Sequence, residues 1–321
     1  MEHNDFKALL PWFQTLANDI RNAGTPAEIT SGLACVHHRL AEFTKDCDIW
    51  IPPASLAAFK LIAATRTWQN CHASYRSSIS APLDSRWLNG GWSSHIIWKG
   101  DTQACIDVFG LLPRTIQHIG GSIYSDEETL ARVKMTKREK DWPTVHALGI
   151  RLVAQKNPTG LLFLQKADSL LQAKTQFSPE EWAVQAQNRP LLNAVETATD
   201  TQHLDAYLQV EQTFWRKVDQ LRLDLYRKSC KDYAKLATKA LATCSKFDEQ
   251  DAELIKIAEV TLPENPLHNM ATHIVENATD QALTLIDPSK FHSPWLPTDW
   301  AAATIRVCYA PERPCQNREL N

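Results

Sequence analysis

The sequence predicts an α+β fold that is predominantly helical, with a small antiparallel hairpin and one long helix in the C-terminal half. Three observations carry this. All ten glycines lie at or before Gly160, so the second half lacks the residue that most readily supplies the positive φ of tight turns. Proline-led helix starts recur at Thr25-Pro26-Ala27-Glu28 and Ser178-Pro179-Glu180-Glu181, where an N-cap, a proline and a capping-box acid follow in order. From Asp200 to Phe247 there is neither Gly nor Pro, and Leu204, Tyr207, Phe214, Val218, Leu221, Leu225, Tyr233, Leu236 and Ala240 recur mostly at three- and four-residue steps.

In chain order these signals place helices at 4–22, 26–45, 54–76, 102–110, 126–140, 179–187, 202–246, 249–258 and 266–278. Ser125 with Glu128 supplies a third capping box for the helix at 126–140. Strands are expected at 95–98 and 303–309, where short apolar and β-branched runs occur. The hairpin is expected from His146–Gln155 and Gly160–Gln165, joined by the turn chemistry of Lys156-Asn157-Pro158-Thr159. A mixed lobe over 1–175 and a helical lobe over 176–321 with an irregular Pro- and Trp-rich tail follow, although no flexible linker separates them and a single continuous body fits as well.

Composition narrows the function. Apolar residues at 44% and charged residues at 22% allow a sizeable buried core, and a net charge of −3 gives no overall attraction to nucleic acid or anionic membrane. No apolar run approaches the roughly 20 residues that span a bilayer, and no membrane partner is expected. The start of the chain lacks the basic-then-apolar pattern of a secretory leader, and the eight cysteines contain no CxxC pair. Free thiols and a cytoplasmic location are the expectation.

Binding to an anion therefore needs a local patch. Lys228, Lys231, Lys235, Lys239 and Lys246 would fall within about 80° of one another on a continuous helix. Between Glu211 and Lys246, nine Lys/Arg stand against four acids. A lysine row at regular spacing suits phosphate contacts, although the same row also suits a solvated helix face. Arg132, Lys134, Lys137 and Arg138, followed by Lys140, form a second basic stretch.

Other constellations are weaker. Cys35, His37, His38, Cys47, Cys71 and His72 have zinc-ligand chemistry but no zinc-site spacing, and no metal or other cofactor is expected. Neither GxGxxG, GxxxxGK[ST] nor GxSxG occurs; Gly91-Trp92-Ser93-Ser94-His95 comes nearest to the last. Trp87, Trp92 and Trp98 crowd around Asn89-Gly90-Gly91, either as an exposed interface anchor or as a core seal. In Arg66-Thr67-Trp68-Gln69-Asn70-Cys71-His72, the arginine-to-histidine spacing resembles that of helical ribonucleases of the HEPN class, over seven residues and two identities. That resemblance implies acid–base and phosphate roles for Arg66 and His72. The leading expectation is a non-enzymatic protein that binds nucleic acid or an acidic protein surface through the lysine row. A helical nuclease using Arg66 and His72 and a protein-interaction scaffold are the alternatives.

Overall fold

The computed structural model describes residues 3–115, 121–197, 201–285 and 295–306. Among them, helices dominate around a five-stranded mixed sheet. The chain runs α1 (His3–Asn22), β1 (Glu28–Thr30), α2 (Ser31–His37), β2 (Cys47–Trp50), α3 (Leu56–Thr65), β3 (Ala73–Tyr75), α4 (Ser85–Asn89), β4 (Ser93–Lys99) and β5 (Gln103–Phe109). It continues as α5 (Glu127–Lys134), α6 (Trp142–Ala154), α7 (Ala167–Lys174), α8 (Pro179–Asn188), α9 (Leu191–Thr197), α10 (Thr201–Ser229), α11 (Lys231–Thr243), α12 (Phe247–Thr261), α13 (Ala271–Leu283) and α14 (Thr298–Arg306).

Strand order is β1-β2-β5-β4-β3, with β2 and β5 parallel and every other pair antiparallel. The two-residue period of a strand gives the sheet two different faces. Cys47, Ile49, Ile96, Trp98, Ile106 and Val108 enter the main core. The register puts Asp48 beside Asp107, and Asp107 opposite His95, on the other face. The main buried cluster takes side chains from Leu9 through to Ile305, on both sides of residue 175.

Several expected elements are corrected. Residues 26–45 are not one helix: Glu28 is a buried strand residue that accepts the Ser125 hydroxyl, and only 31–37 coil. Because Ser125 is so engaged, Asp126 caps α5 instead, accepting from Thr129 N, and that helix ends at Lys134. The helix expected at 54–76 stops at Thr65; Gln69 (φ 48°) and Asn70 (φ 63°) form a left-handed reversal that carries the chain into β3. Residues 102–110 form a strand, since Ala104, Ile106 and Val108 alternate into the core at period two.

The hairpin exists, but it is β4–β5. His146–Gln155 belongs to helix α6, which buries Val145, Leu148, Gly149, Leu152 and Val153 at helical spacing. A Cβ on Gly149 would sit 3.1 Å from the Gly160 oxygen, and one on Gly160 would sit 2.8 Å from the Gly149 oxygen. Two bare backbones thus pack where two strands were expected.

The long helix is broken at Cys230 (ψ 2°) into α10 and α11. On either side of the break, Tyr226 donates its hydroxyl to the Gly90 oxygen (2.6 Å) and Tyr233 donates to the Ser80 oxygen (2.7 Å). Each half is moored to a different point of the N-terminal half. The strand expected at 303–309 is helical to Arg306, with Trp300 packed edge-on against Trp215; residues 307–309 lie outside the described residues. No helix among the described residues is long and apolar enough to cross a membrane.

Candidate functional site

The break redistributes the lysine row. Lys228 ends α10, Lys231, Lys235 and Lys239 run along α11, and Lys246 sits at the N-cap of α12, 3.4 Å from Glu249. All five are exposed, but they belong to three helices, so the continuous flank expected from the sequence is reduced to the three residues on α11.

The second basic stretch is more deeply placed. Arg132 bonds Glu128 at 2.8 Å and lies over the Trp300 ring at 4.9 Å. Lys134 is buried near Asp141, Lys137 donates its ammonium to Gln220, and Arg138 pairs with Asp141 at 2.8 Å. These side chains do not form an open flank, yet Lys134, Lys137, Arg138 and Lys140 line one concavity.

Arg66 and His72 do not share a helix. Arg66 follows the last turn of α3, where its guanidinium bonds Asp19 and the Trp12 carbonyl and covers the Trp12 ring. His72 is exposed beyond the left-handed reversal, so the helical spacing that suggested the pair has no counterpart here. Trp87, Trp92 and Trp98 are buried, and their indole N–H groups donate to the carbonyls of Leu262, Pro263 and Arg66. They seal the core and offer no exposed anchor for the scaffold alternative.

The concavity is a cleft of ≈ 870 Å³ between the polar sheet face, the start of α2, the end of α5 and the middle of α10. Lys45, Arg114, Lys134, Lys137, Arg138, Lys140 and Arg222 bring positive charge to it; Asp46, Asp48, Asp107, Asp141 and Asp219 bring negative charge. Arg114 is buried and holds both partners in place. It donates to the Arg132 and Val133 carbonyls at the C-terminal end of α5 and to Asp219 at 2.8 Å. Burial pushes the Asp219 carboxyl up, but Arg114 and Arg222 together outweigh it and hold the group down at about 2.

Asp48 is the opposite case. Burial, then the neighbouring Asp46 and Asp107 carboxylates, push it up to about 7, against a hydrogen bond from Ser31 and the more distant Lys134 ammonium. Ser31 follows β1 directly with a left-handed φ of 53° and lines the cleft. Its neighbour Thr30 also lines the cleft, and the Thr30 hydroxyl is buried without a hydrogen-bond partner among the described residues.

A smaller annex of ≈ 300 Å³ adjoins the cleft, sharing Phe109, Leu112, Pro113, Arg222 and Leu223 with it. Its wall is mainly apolar, but Ser93 and His95 also line it. The Ser93 Oγ lies 3.4 Å from His95 Nε2, and His95 Nδ1 lies 2.7 Å from Asp107 Oδ1. Arg76 reaches the same Asp107 oxygen at 2.6 Å. Sequence reasoning passed over this trio, because Asp107 was assigned to a helix. The available signal was Ser-x-His on one strand face followed by an alternating strand carrying an acid. Among the described residues, no group of three or more His, Cys, Asp or Glu is arranged to hold a metal ion.

Compared with known protein families, curated proteins and solved structures, the chain matches none.

Proposed function

We propose that the chain binds a phosphorylated, hydroxyl-bearing small molecule in the larger cleft. One observation carries the reading: seven cationic side chains from four separate stretches of sequence line a single concavity. Charge-assisted bonds from Lys and Arg suit phosphate oxygens, and the carboxyl groups of Asp46 and Asp48 suit hydrogen bonds with sugar or polyol hydroxyls. Concave shape favours a small molecule over a duplex backbone.

Titration calorimetry with pyrophosphate and with a phosphorylated hexose, at low and moderate salt, tests this. The expected result is saturable binding that weakens with salt and falls at least about tenfold, roughly 1.4 kcal/mol, in the double variant Lys137→Glu, Lys140→Glu. Binding of neither probe, or binding untouched by that variant, overturns it.

A second reading keeps the anionic partner on α11, as a nucleic acid gripped by Lys231, Lys235 and Lys239, which stay exposed at four-residue steps. Salt-sensitive binding of mixed single- and double-stranded nucleic acid, abolished by reversing those three charges, supports it; no such binding ends it. The nuclease alternative is decided by RNA degradation with His72→Ala, where absent or unchanged activity rules it out.

A further inference from the structure

We propose that Ser93, His95 and Asp107 form a nucleophilic triad, and that the chain hydrolyses a carboxylic ester whose acyl group lies in the apolar annex. The arrangement follows from strand geometry. A period of two along β4 puts Ser93 and His95 on one face, and the antiparallel register sets Asp107 of β5 opposite His95. The hydrogen-bond order is Ser93 Oγ to His95 Nε2 at 3.4 Å, then His95 Nδ1 to Asp107 Oδ1 at 2.7 Å. An ionised carboxylate only accepts, so the 2.7 Å contact with Asp107, closer than the 3.3 Å approach of Arg76 Nη2 to the same nitrogen, assigns the imidazole proton to Nδ1 and leaves Nε2 bare toward the serine hydroxyl. The Arg76 guanidinium pairs with the same Asp107 oxygen at 2.6 Å. The Ser–His bond is longer than the 2.6–3.2 Å of a working pair, as is common before substrate tightens it.

Position adds to geometry. Ser93 and His95 line the annex, whose wall includes Ile79, Trp92, Leu111 and Tyr226, and Asp107 lies behind them on the wall of the cleft. At ≈ 300 Å³, the annex takes a short acyl or aryl group. Arg222 lines both cavities, and we assign its positive charge to the oxyanion that develops at their junction. The alcohol side of the ester then faces the cationic cleft. Only that last point, an anionic group on the alcohol, rests on the proposed cleft ligand; the triad itself does not.

The chemistry balances without a further reagent. Ser93 Oγ attacks the ester carbonyl carbon while its proton passes to His95 Nε2. The carbon–oxygen bond to the alcohol breaks, and the alcohol leaves with that proton. Water then attacks the acyl-serine, giving a proton to Nε2; the carboxylic acid departs and Ser93 regains its proton. Ser93 and His95 are the catalytic residues, and Asp107 is a positioning residue that acts through His95.

The test uses the full chain with a neutral alkyl fluorophosphonate, followed by intact-mass and peptide-mass mapping, and with p-nitrophenyl butyrate as a chromogenic ester. The expected result is one phosphonyl adduct, on Ser93, and ester hydrolysis that falls about 10³-fold or more in Ser93→Ala and His95→Gln. Asp107→Asn should slow labelling and change its pH profile, which a merely structural Asp107 would leave alone. No adduct on the wild type, an adduct mapped to another residue, or hydrolysis undiminished in Ser93→Ala overturns the proposal. If Ser93→Ala fails to fold, as read by its thermal melt, the mapped adduct on the wild type and His95→Gln decide the matter. Loss of pyrophosphate binding with Ser93 labelling intact counts against the cleft ligand alone; the reverse counts against the triad alone.

Discussion

Arg189 and Glu211 form a fully enclosed ion pair, with Arg189 Nη2 2.6 Å from Glu211 Oε2 and Arg189 Nε 3.0 Å from both carboxylate oxygens. The remaining guanidinium nitrogen donates to the Leu161 and Leu164 carbonyls, at 2.7 and 2.8 Å. One side chain thus ties the segment after α6 to α8 and α10. Removing either partner leaves the other charge buried and unmatched. Arg189→Met or Glu211→Leu alone should cost about 3–5 kcal/mol in urea unfolding, while the double variant should recover much of it. Additive losses would show that the two groups do not stabilise each other.

Asp48 gives a pH test. Its carboxyl titrates at about 7 in the folded chain and near the ordinary 3.8 when unfolded. Between those values the folded state holds a proton that the unfolded state has released, so stability falls as pH rises through this window and levels off above about 7. Asp48→Asn removes that penalty. The Tm advantage of the variant over wild type should widen from pH 4 to pH 8; a constant difference refutes the assignment.

Gly90 separates packing from turn geometry. It sits at the C-terminal end of α4 with an ordinary negative φ, so alanine is not excluded by backbone conformation. An added Cβ, however, would meet the Glu264 oxygen at 1.7 Å, in backbone that cannot rotate away. Gly90→Ala should therefore cost about 3 kcal/mol, and Gly24→Ser, where nothing lies within 4 Å of an added Cβ and the only cost is the strain of a side chain at φ 84°, should cost less. Chemical denaturation of both variants checks the order.

The break at Cys230 is flanked by two moorings. Tyr233→Phe leaves the Ser80 carbonyl without its buried donor and should cost about 1–3 kcal/mol. Amide exchange should then rise in α11 more than in α13, because the missing bond joins α11 to Ser80. Equal protection in both helices would show that the tyrosine hydroxyl does not position the break.

How far the sequence could be read depended on whether each signal was local. Ser178-Pro179-Glu180-Glu181 holds its own helix start through bonds among four neighbours, and α8 begins there as expected. The helical character of the second half followed equally from local spacing. Glu28 looked like a capping-box acid for the same local reason, but its carboxylate is claimed by Ser125, 97 residues away. The break in the lysine-bearing helix has no local sequence signal, and the carbonyls that flank it on the fold, Gly90 and Ser80, lie far back in the chain. The charged cleft shows the same limit. Lys134, Lys137 and Arg138 were visible as a basic stretch, but Asp48 and Arg222 meet them only through the sheet register and α10. Asp107 faces His95 only once 103–109 is a strand, and three inward residues at period two were the evidence for that.

The strand order has a consequence for synthesis. β5 comes last of the five described strands along the chain but lies in the middle of the sheet, where it joins β1–β2 to β4–β3. A nascent polypeptide that has not yet released Phe109 from the ribosome holds two separate ribbons with their inner edges bare. Arrival of β5 joins the two, first onto its near neighbour β4 and then, across the long span back to residue 47, onto β2. Vectorial translation therefore makes one seven-residue segment the keystone, and any ribosomal pause just before it prolongs the interval in which those edges invite mispairing.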